Sequence, residues 1–241
     1  MLQEDRSQHL ASAKRKRNER SGIHSWHPYY AGYSENFVRS ALEHLKLKDK
    51  SIVMDPWSGS GTTQLVCAKM GISSFGFDIN PVMTIFTNAK SSNSLQIAND
   101  LENHLDEVNK NSSKKVYRAS EDPLTEWMSP SLVAGLRKIL NEINSRRFSP
   151  MITGNIFPDV FVESSNSTLL DCQSDFLKAC LFVTGRTLAK YAGGSNPTWT
   201  RASTESHTNY NFKEIIESYF KHCKTMLSDI QGVGIDKSTN N

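Results

Sequence analysis

A chain of 241 residues, with 37% hydrophobic residues and a net charge of +3 from 28 basic and 25 acidic side chains, suits one large domain or two small ones. Thirteen glycines and eight prolines exclude a collagenous or low-complexity chain. No apolar run approaches the roughly 20 residues of a membrane span, and so mild a basic excess does not by itself predict a nucleic-acid partner.

The first residues, Met1 to Arg6, are polar and do not read as a secretory signal. Residues 1–22 are expected to form a basic mobile arm. Its cluster Lys14, Arg15, Lys16, Arg17 reads either as a solvated helix face or as a phosphate-contacting arm. An aromatic segment follows at 23–33 and reads as an ordered loop. Ser34 is the expected N-cap of a helix carrying Phe37, Val38, Ala41, Leu42 and Leu45.

Residues 51–55 have the pattern of a short buried strand. Pro56 to Gly61 break it, a helix is expected over 62–70, and Gly71 stops that helix. A second strand is expected over 74–78, and Asn80-Pro81 opens a helix over about 82–90. This is strand, glycine turn, helix, strand: one βαβ unit in about 30 residues. Further on, helices are expected over 95–108, 132–143 (after Ser129-Pro130), 175–191 and 212–230. A poor, proline-broken third strand is read at 157–162, and 232–241 form a polar tail. Cys67, Cys172, Cys180 and Cys223 are scattered, without the close pairs of a zinc site. They are expected to be reduced thiols of a cytoplasmic protein, with no bound metal.

The chemistry concentrates in Asp55-Pro56-Trp57-Ser58-Gly59-Ser60-Gly61-Thr62-Thr63. Two glycines between a strand and a helix let backbone approach a ligand, and the helix start offers amides to an anion. Asp78, 17 residues beyond Gly61, stands where a carboxylate can accept both ribose hydroxyls of a nucleoside cofactor. There is no Gly-Lys-Ser/Thr for a triphosphate and no third glycine in the dinucleotide spacing.

The 55–63 stretch resembles the Asp-Pro-Phe-x-Gly-Ser-Gly-Thr-Thr motif of S-adenosylmethionine-dependent DNA amino-methyltransferases. Gly76-Phe77-Asp78-Ile79-Asn80-Pro81 is similar to their next motif. His27-Pro28-Tyr29-Tyr30-Ala31 is similar to a His-Pro-Tyr-x-Ala segment placed before their first strand. The resemblance covers about residues 24–90 and implies S-adenosylmethionine as cofactor. It places Asp55, Trp57, Gly59, Ser60, Gly61, Thr62 and Thr63 around the methionine end. Asp78 would take the ribose, Ile79, Asn80 and Pro81 would lie near the adenine, and Tyr29 and Tyr30 would close over the methionine moiety.

Such enzymes also need a Pro-Pro-aromatic loop for the extruded base. The local candidate is Ser195-Asn196-Pro197-Thr198-Trp199, where Thr198 stands in place of the second proline and a helix precedes in place of a strand. It reads as an accessory element, ahead of a divergent catalytic loop using Asn196, Pro197 and Trp199, or a plain turn. The expected fold is therefore α/β: a partial Rossmann-like class I methyltransferase sheet at 23–92, a mainly helical region at 93–231 that could help contact DNA, and a tail at 232–241. Too few strands for that sheet imply a second methyltransferase subunit in a heterodimer, with DNA as substrate and no membrane role. The competing readings are a self-sufficient divergent DNA or RNA methyltransferase and a non-catalytic remnant.

Overall fold

The structure, a computed structural model, describes residues 10–28, 32–111, 117–145, 160–161, 172–193, 200–201 and 204–233. It is mixed α/β and mostly helical. In chain order the elements are α1 (Glu35–His44), β1 (Ile52–Asp55), α2 (Thr62–Lys69), β2 (Ser73–Gly76), α3 (Pro81–Lys90), α4 (Ser94–Asn111), α5 (Pro130–Ser145), β3 (Val160–Phe161), α6 (Cys172–Ala189), β4 (Ala192–Gly193), β5 (Thr200–Arg201) and α7 (Phe212–Val233).

Local chemistry sets the helix starts. The Ser34 hydroxyl accepts from the Phe37 amide at 3.1 Å, and Asn80 Oδ1 from the Val82 amide at 3.0 Å. Ser129 Oγ accepts the Leu132 amide at the start of α5. Gly71 ends α2 at φ +69°, a left-handed conformation that glycine adopts without a Cβ penalty.

β1 and β2 pair in parallel through α2, with Ile52 opposite Ser73 and Asp55 opposite Gly76. The two-residue β3 adds to the far side of β2, also parallel, so the order is β1-β2-β3. The short strand, Val160–Phe161, lies within the segment expected as a poor third strand, whose other residues fall outside the described ones. β4 and β5 form a separate antiparallel pair. β1 is an edge strand: among the described residues it pairs with β2 alone.

One sheet face is covered. Val53 packs into a small cluster with Val38 and Leu42 of α1 and Val66 and Cys67 of α2. The alternate side chains of β1 point the other way, and there Ile52 is 59% and Met54 65% exposed. The main core is helical. It joins Ile23 and Trp26 to Leu65, Phe86 and the inner faces of α4 to α7. Trp26 Nε1 donates to Asp229 Oδ2 at 2.8 Å, across 203 residues of sequence. His104 and the Tyr219 hydroxyl, 2.9 Å apart, pin α4 to α7.

The basic stretch expected as a mobile arm is, from residue 10 to 22, built into the fold. Lys14 bridges Tyr33, the Ser34 amide donates to Ala13 O, and the Ser34 hydroxyl donates to Ser12 O. Arg15 is only 6% exposed. The composition misleads here because a run of four cations reads as solvated, while backbone pairing with residues 33 and 34 pulls one of them inward. None of the four cysteines forms a disulfide, and Cys67, Cys180 and Cys223 are buried. Among the described residues no helix is long and apolar enough to cross a membrane, and no cluster of His, Cys, Asp and Glu could hold a metal.

Candidate functional site

The turn between β1 and α2 is fixed from both ends by Asp55. Its Oδ1 accepts the Trp57 amide at 3.1 Å and its Oδ2 accepts the Thr63 hydroxyl at 2.6 Å. Gly59 and Gly61 have φ of +52° and +76°, and the Gly61 amide donates to Ser58 O at 2.9 Å. Gly61 is also crowded: a Cβ there would lie 2.6 Å from Thr87 Oγ1 on α3. Both the conformation and the space demand glycine at this point.

The loop after β2 joins the turn. Asp78 Oδ2 accepts the Gly59 amide and Oδ1 accepts the Asn80 amide, each at 2.8 Å. The Ser58 amide donates to Phe77 O and the Phe77 amide to Asp55 O, both at 2.9 Å. The two loops at the carboxyl ends of β1 and β2 are thus one hydrogen-bonded unit. Their outer rim is apolar: Ile79 is 91% and Trp57 77% exposed. Inside, the hydroxyls of Ser58 and Ser60 are buried with no hydrogen-bond partner among the described residues. Orphaned buried donors of this kind are uncommon in folded proteins.

Beneath the turn lies a layer of charge. Lys90, at the end of α3 and fully buried, donates its Nζ to Ser60 O at 2.7 Å. Burial, with the nearby Arg15 cation, pushes its ammonium down to about 7. Arg15 donates twice to Tyr33 O and, through Nη2, to Thr62 Oγ1 at 2.6 Å. Burial lowers its pKa as well. Glu35 takes His24 Nε2 at 2.6 Å and Lys69 Nζ at 2.7 Å. Burial alone would raise the Glu35 carboxyl, but the hydrogen bonds from His24 and Lys69 hold it near 2. His27 is pushed down to about 4 by burial and by the Arg186 and Lys90 cations.

Asp55, Trp57, Gly59, Ser60, Gly61, Thr62, Thr63, Asp78, Ile79, Asn80 and Pro81 therefore lie together on the two joined loops and the helix starts they feed. The Thr62 hydroxyl is committed to Arg15 and the Thr63 hydroxyl to Asp55. Tyr29, Tyr30, Asn196, Pro197 and Trp199 fall outside the described residues. Sequence reasoning missed Lys90, Thr87 and the triad of His24, Glu35 and Lys69, and read Arg15 only as one of a solvated or phosphate-contacting cluster. A cation in the last turn of a helix ordinarily complements the helix dipole, and an acid in the first turn does the same, so neither signals burial.

Residues 6–88 match the sequence profile of the DNA methylase family. The chain is 38% identical over 74 residues to the Type II methyltransferase M.BsoBI of Geobacillus stearothermophilus, a match covering 31% of this chain and 14% of that protein. It is also 38% identical over 69 residues to the Type II methyltransferase M.MjaII of Methanocaldococcus jannaschii, covering 28% of this chain and 13% of the relative. In both cases well under two thirds of the relative's length is spanned. No solved structure matches the chain. By profile and by relatives alike, the segment from residue 6 to 88, which contains the glycine turn and Asp78, is similar to the DNA methylase family.

Proposed function

We propose that this chain binds S-adenosylmethionine and forms the cofactor half of a DNA amino-methyltransferase, completed by a second chain. The observation that carries the reading is the union of the two loops through Gly59 and Asp78. It sets a carboxylate against a glycine turn at the carboxyl ends of adjacent parallel strands, the usual ligand position in open α/β sheets. Each Asp78 oxygen spends one lone pair on a backbone amide and keeps a second, enough to accept the two ribose hydroxyls. The exposed Ile79 and the Pro81 start of α3 offer an apolar flank to the adenine. The start of α2 and the buried hydroxyls of Ser58 and Ser60 offer donors to the methionine end.

When bound, S-adenosylmethionine supplies an electrophilic methyl group on a sulfonium. This chain's residues bind and orient it. The target amine of an extruded base would be held by a Pro-Pro-aromatic loop from the partner.

Strand order supports the need for a partner. A parallel order β1-β2-β3, with β1 at the edge among the described residues, supports the reading of one half of a Rossmann-like sheet, in which the first strand has neighbours on both sides. Parallel sheets are normally covered on both faces, yet Ile52 and Met54 leave one face of β1 in solvent. A second chain adding a strand beside β1 and a helix over Ile52 and Met54 would complete the layer.

The test is to purify the chain alone and together with the product of the neighbouring reading frame. S-adenosylhomocysteine binding and transfer of labelled methyl to DNA are then measured. Binding by the chain alone with transfer only by the pair is expected. Transfer by the chain alone would overturn the two-chain arrangement, and absence of binding would overturn the cofactor assignment.

A further inference from the structure

Lys90 and Arg15 belong to none of the motifs, yet both reach the glycine turn from below. Lys90 Nζ donates to Ser60 O at 2.7 Å, and two residues further on Arg15 Nη2 donates to Thr62 Oγ1 at 2.6 Å. They are 2% and 6% exposed. A buried cation is costly unless an anion compensates it. Glu35 acts on both and Glu19 on Arg15 as well, but the Glu35 oxygens are already taken by His24 and Lys69. His27, in the same layer, is kept neutral by burial and by the Arg186 and Lys90 cations.

Beyond the Ser60 carbonyl and the Thr62 hydroxyl, which accept from Lys90 and Arg15, the turn above adds unspent donors. Ser58 and Ser60 present buried hydroxyls with no partner among the described residues. Gly61 caps α2 without a side chain, so the N-cap residue supplies no side-chain oxygen to the first-turn amides. Buried positive charge and unspent donors therefore converge on one short stretch, 58–62, and Glu35 is the one carboxylate among the groups acting on Lys90.

We infer that Arg15 and Lys90 are positioning residues that hold the glycine turn and charge it for the carboxylate of an amino-acid-bearing ligand. The inference rests on the reading of S-adenosylmethionine as cofactor and assigns its carboxylate end to this cationic floor. The two residues act through the turn: Lys90 fixes the Ser60 carbonyl, Arg15 fixes Thr62, and their charges favour an anion above.

The experiment compares two probes by calorimetry on the full chain. S-adenosylhomocysteine carries the carboxylate, and 5′-methylthioadenosine keeps the nucleoside thioether but lacks the amino-acid end. The variants are Lys90→Met, Lys90→Gln and Arg15→Gln, each checked by thermal melting, and any one that folds carries the test. S-adenosylhomocysteine affinity is expected to fall about tenfold or more, with methylthioadenosine within about twofold of the wild type. An equal fall for both probes would mark a merely structural role, and no fall for either would remove the role. Either result overturns the inference while leaving the cofactor assignment in place. Wild-type chain that binds neither probe would overturn both.

Discussion

The Gly59 amide donates to Asp78 Oδ2 at 2.8 Å, so the carboxylate proposed to hold ribose also fixes the turn proposed to hold methionine. Replacing it removes two charge-assisted hydrogen bonds at once, the second being that to the Asn80 amide. Asp78→Ala is expected to weaken S-adenosylhomocysteine binding by about 100-fold, or about 2.7 kcal/mol. Asp78→Asn, which keeps one amide acceptor, should lose less. Calorimetric affinity of Asp78→Ala equal to wild type would refute the placement of the ribose.

Two glycines with similar backbone angles should respond differently to the same substitution. Gly61 has φ +76° and a Cβ site 2.6 Å from Thr87 Oγ1, while Gly71 has φ +69° and nothing within 4 Å. Gly71→Ala should cost roughly 1–2 kcal/mol from the left-handed conformation alone. Gly61→Ala should cost that plus roughly 1–3 kcal/mol for forcing α3 away. Chemical denaturation of the two variants measures the difference, and equal losses would show that the turn yields without strain.

Lys90 makes a prediction for pH. Its ammonium is lowered from 10.5 to about 7 in the fold, so the folded state disfavours the charged form. The penalty is complete below pH 7, shrinks as pH rises from 7 toward 10.5, and is absent above that range. Against a Lys90→Met variant, the wild type should therefore gain stability between pH 7 and 10. Urea midpoints of both proteins at pH 6, 8 and 10 check this. Parallel curves would show that Lys90 stays charged in the fold.

The open side of β1 can be probed without touching the turn. Ile52 and Met54 are 59% and 65% exposed, so Ile52→Lys with Met54→Lys should shift the isolated chain's stability by no more than about 0.5 kcal/mol per site. S-adenosylhomocysteine affinity should stay unchanged, while assembly with the proposed second chain should be lost because two ammonium groups would be buried. Size-exclusion chromatography of the co-expressed pair reads the result. A double variant that still assembles would place the partner elsewhere.

The glycine turn was legible in the sequence because its residues are local: Asp55, Gly59, Gly61 and Thr63 lie within nine residues, and Asp55 accepts from both Trp57 and Thr63. Helix starts at Ser34, Asn80 and Ser129 were legible for the same reason. The floor beneath the turn was not. Arg15 meets Thr62 across 47 residues and Lys69 meets Glu35 across 34, and no periodicity links such positions. The third strand was only half legible, since two paired residues beside a proline carry almost no strand pattern. Most misleading was the tetrabasic run at 14–17. Its composition speaks of solvent, but the pairing of Lys14 with Tyr33 turns Arg15 inward.

The hydrogen bond from Trp26 to Asp229 has a consequence for how the molecule comes into being. Ile23 and Ala89, the chain neighbours of His24 and Lys90 in the floor, share one core with Trp26, Phe86 and α7, the last described helix. During synthesis, the glycine turn emerges long before the helices that support it. Trp26 and Phe86 must wait, exposed, for α6 and α7 to leave the ribosome. A chain released early would carry every residue of the signature and still lack the packed floor on which the turn rests.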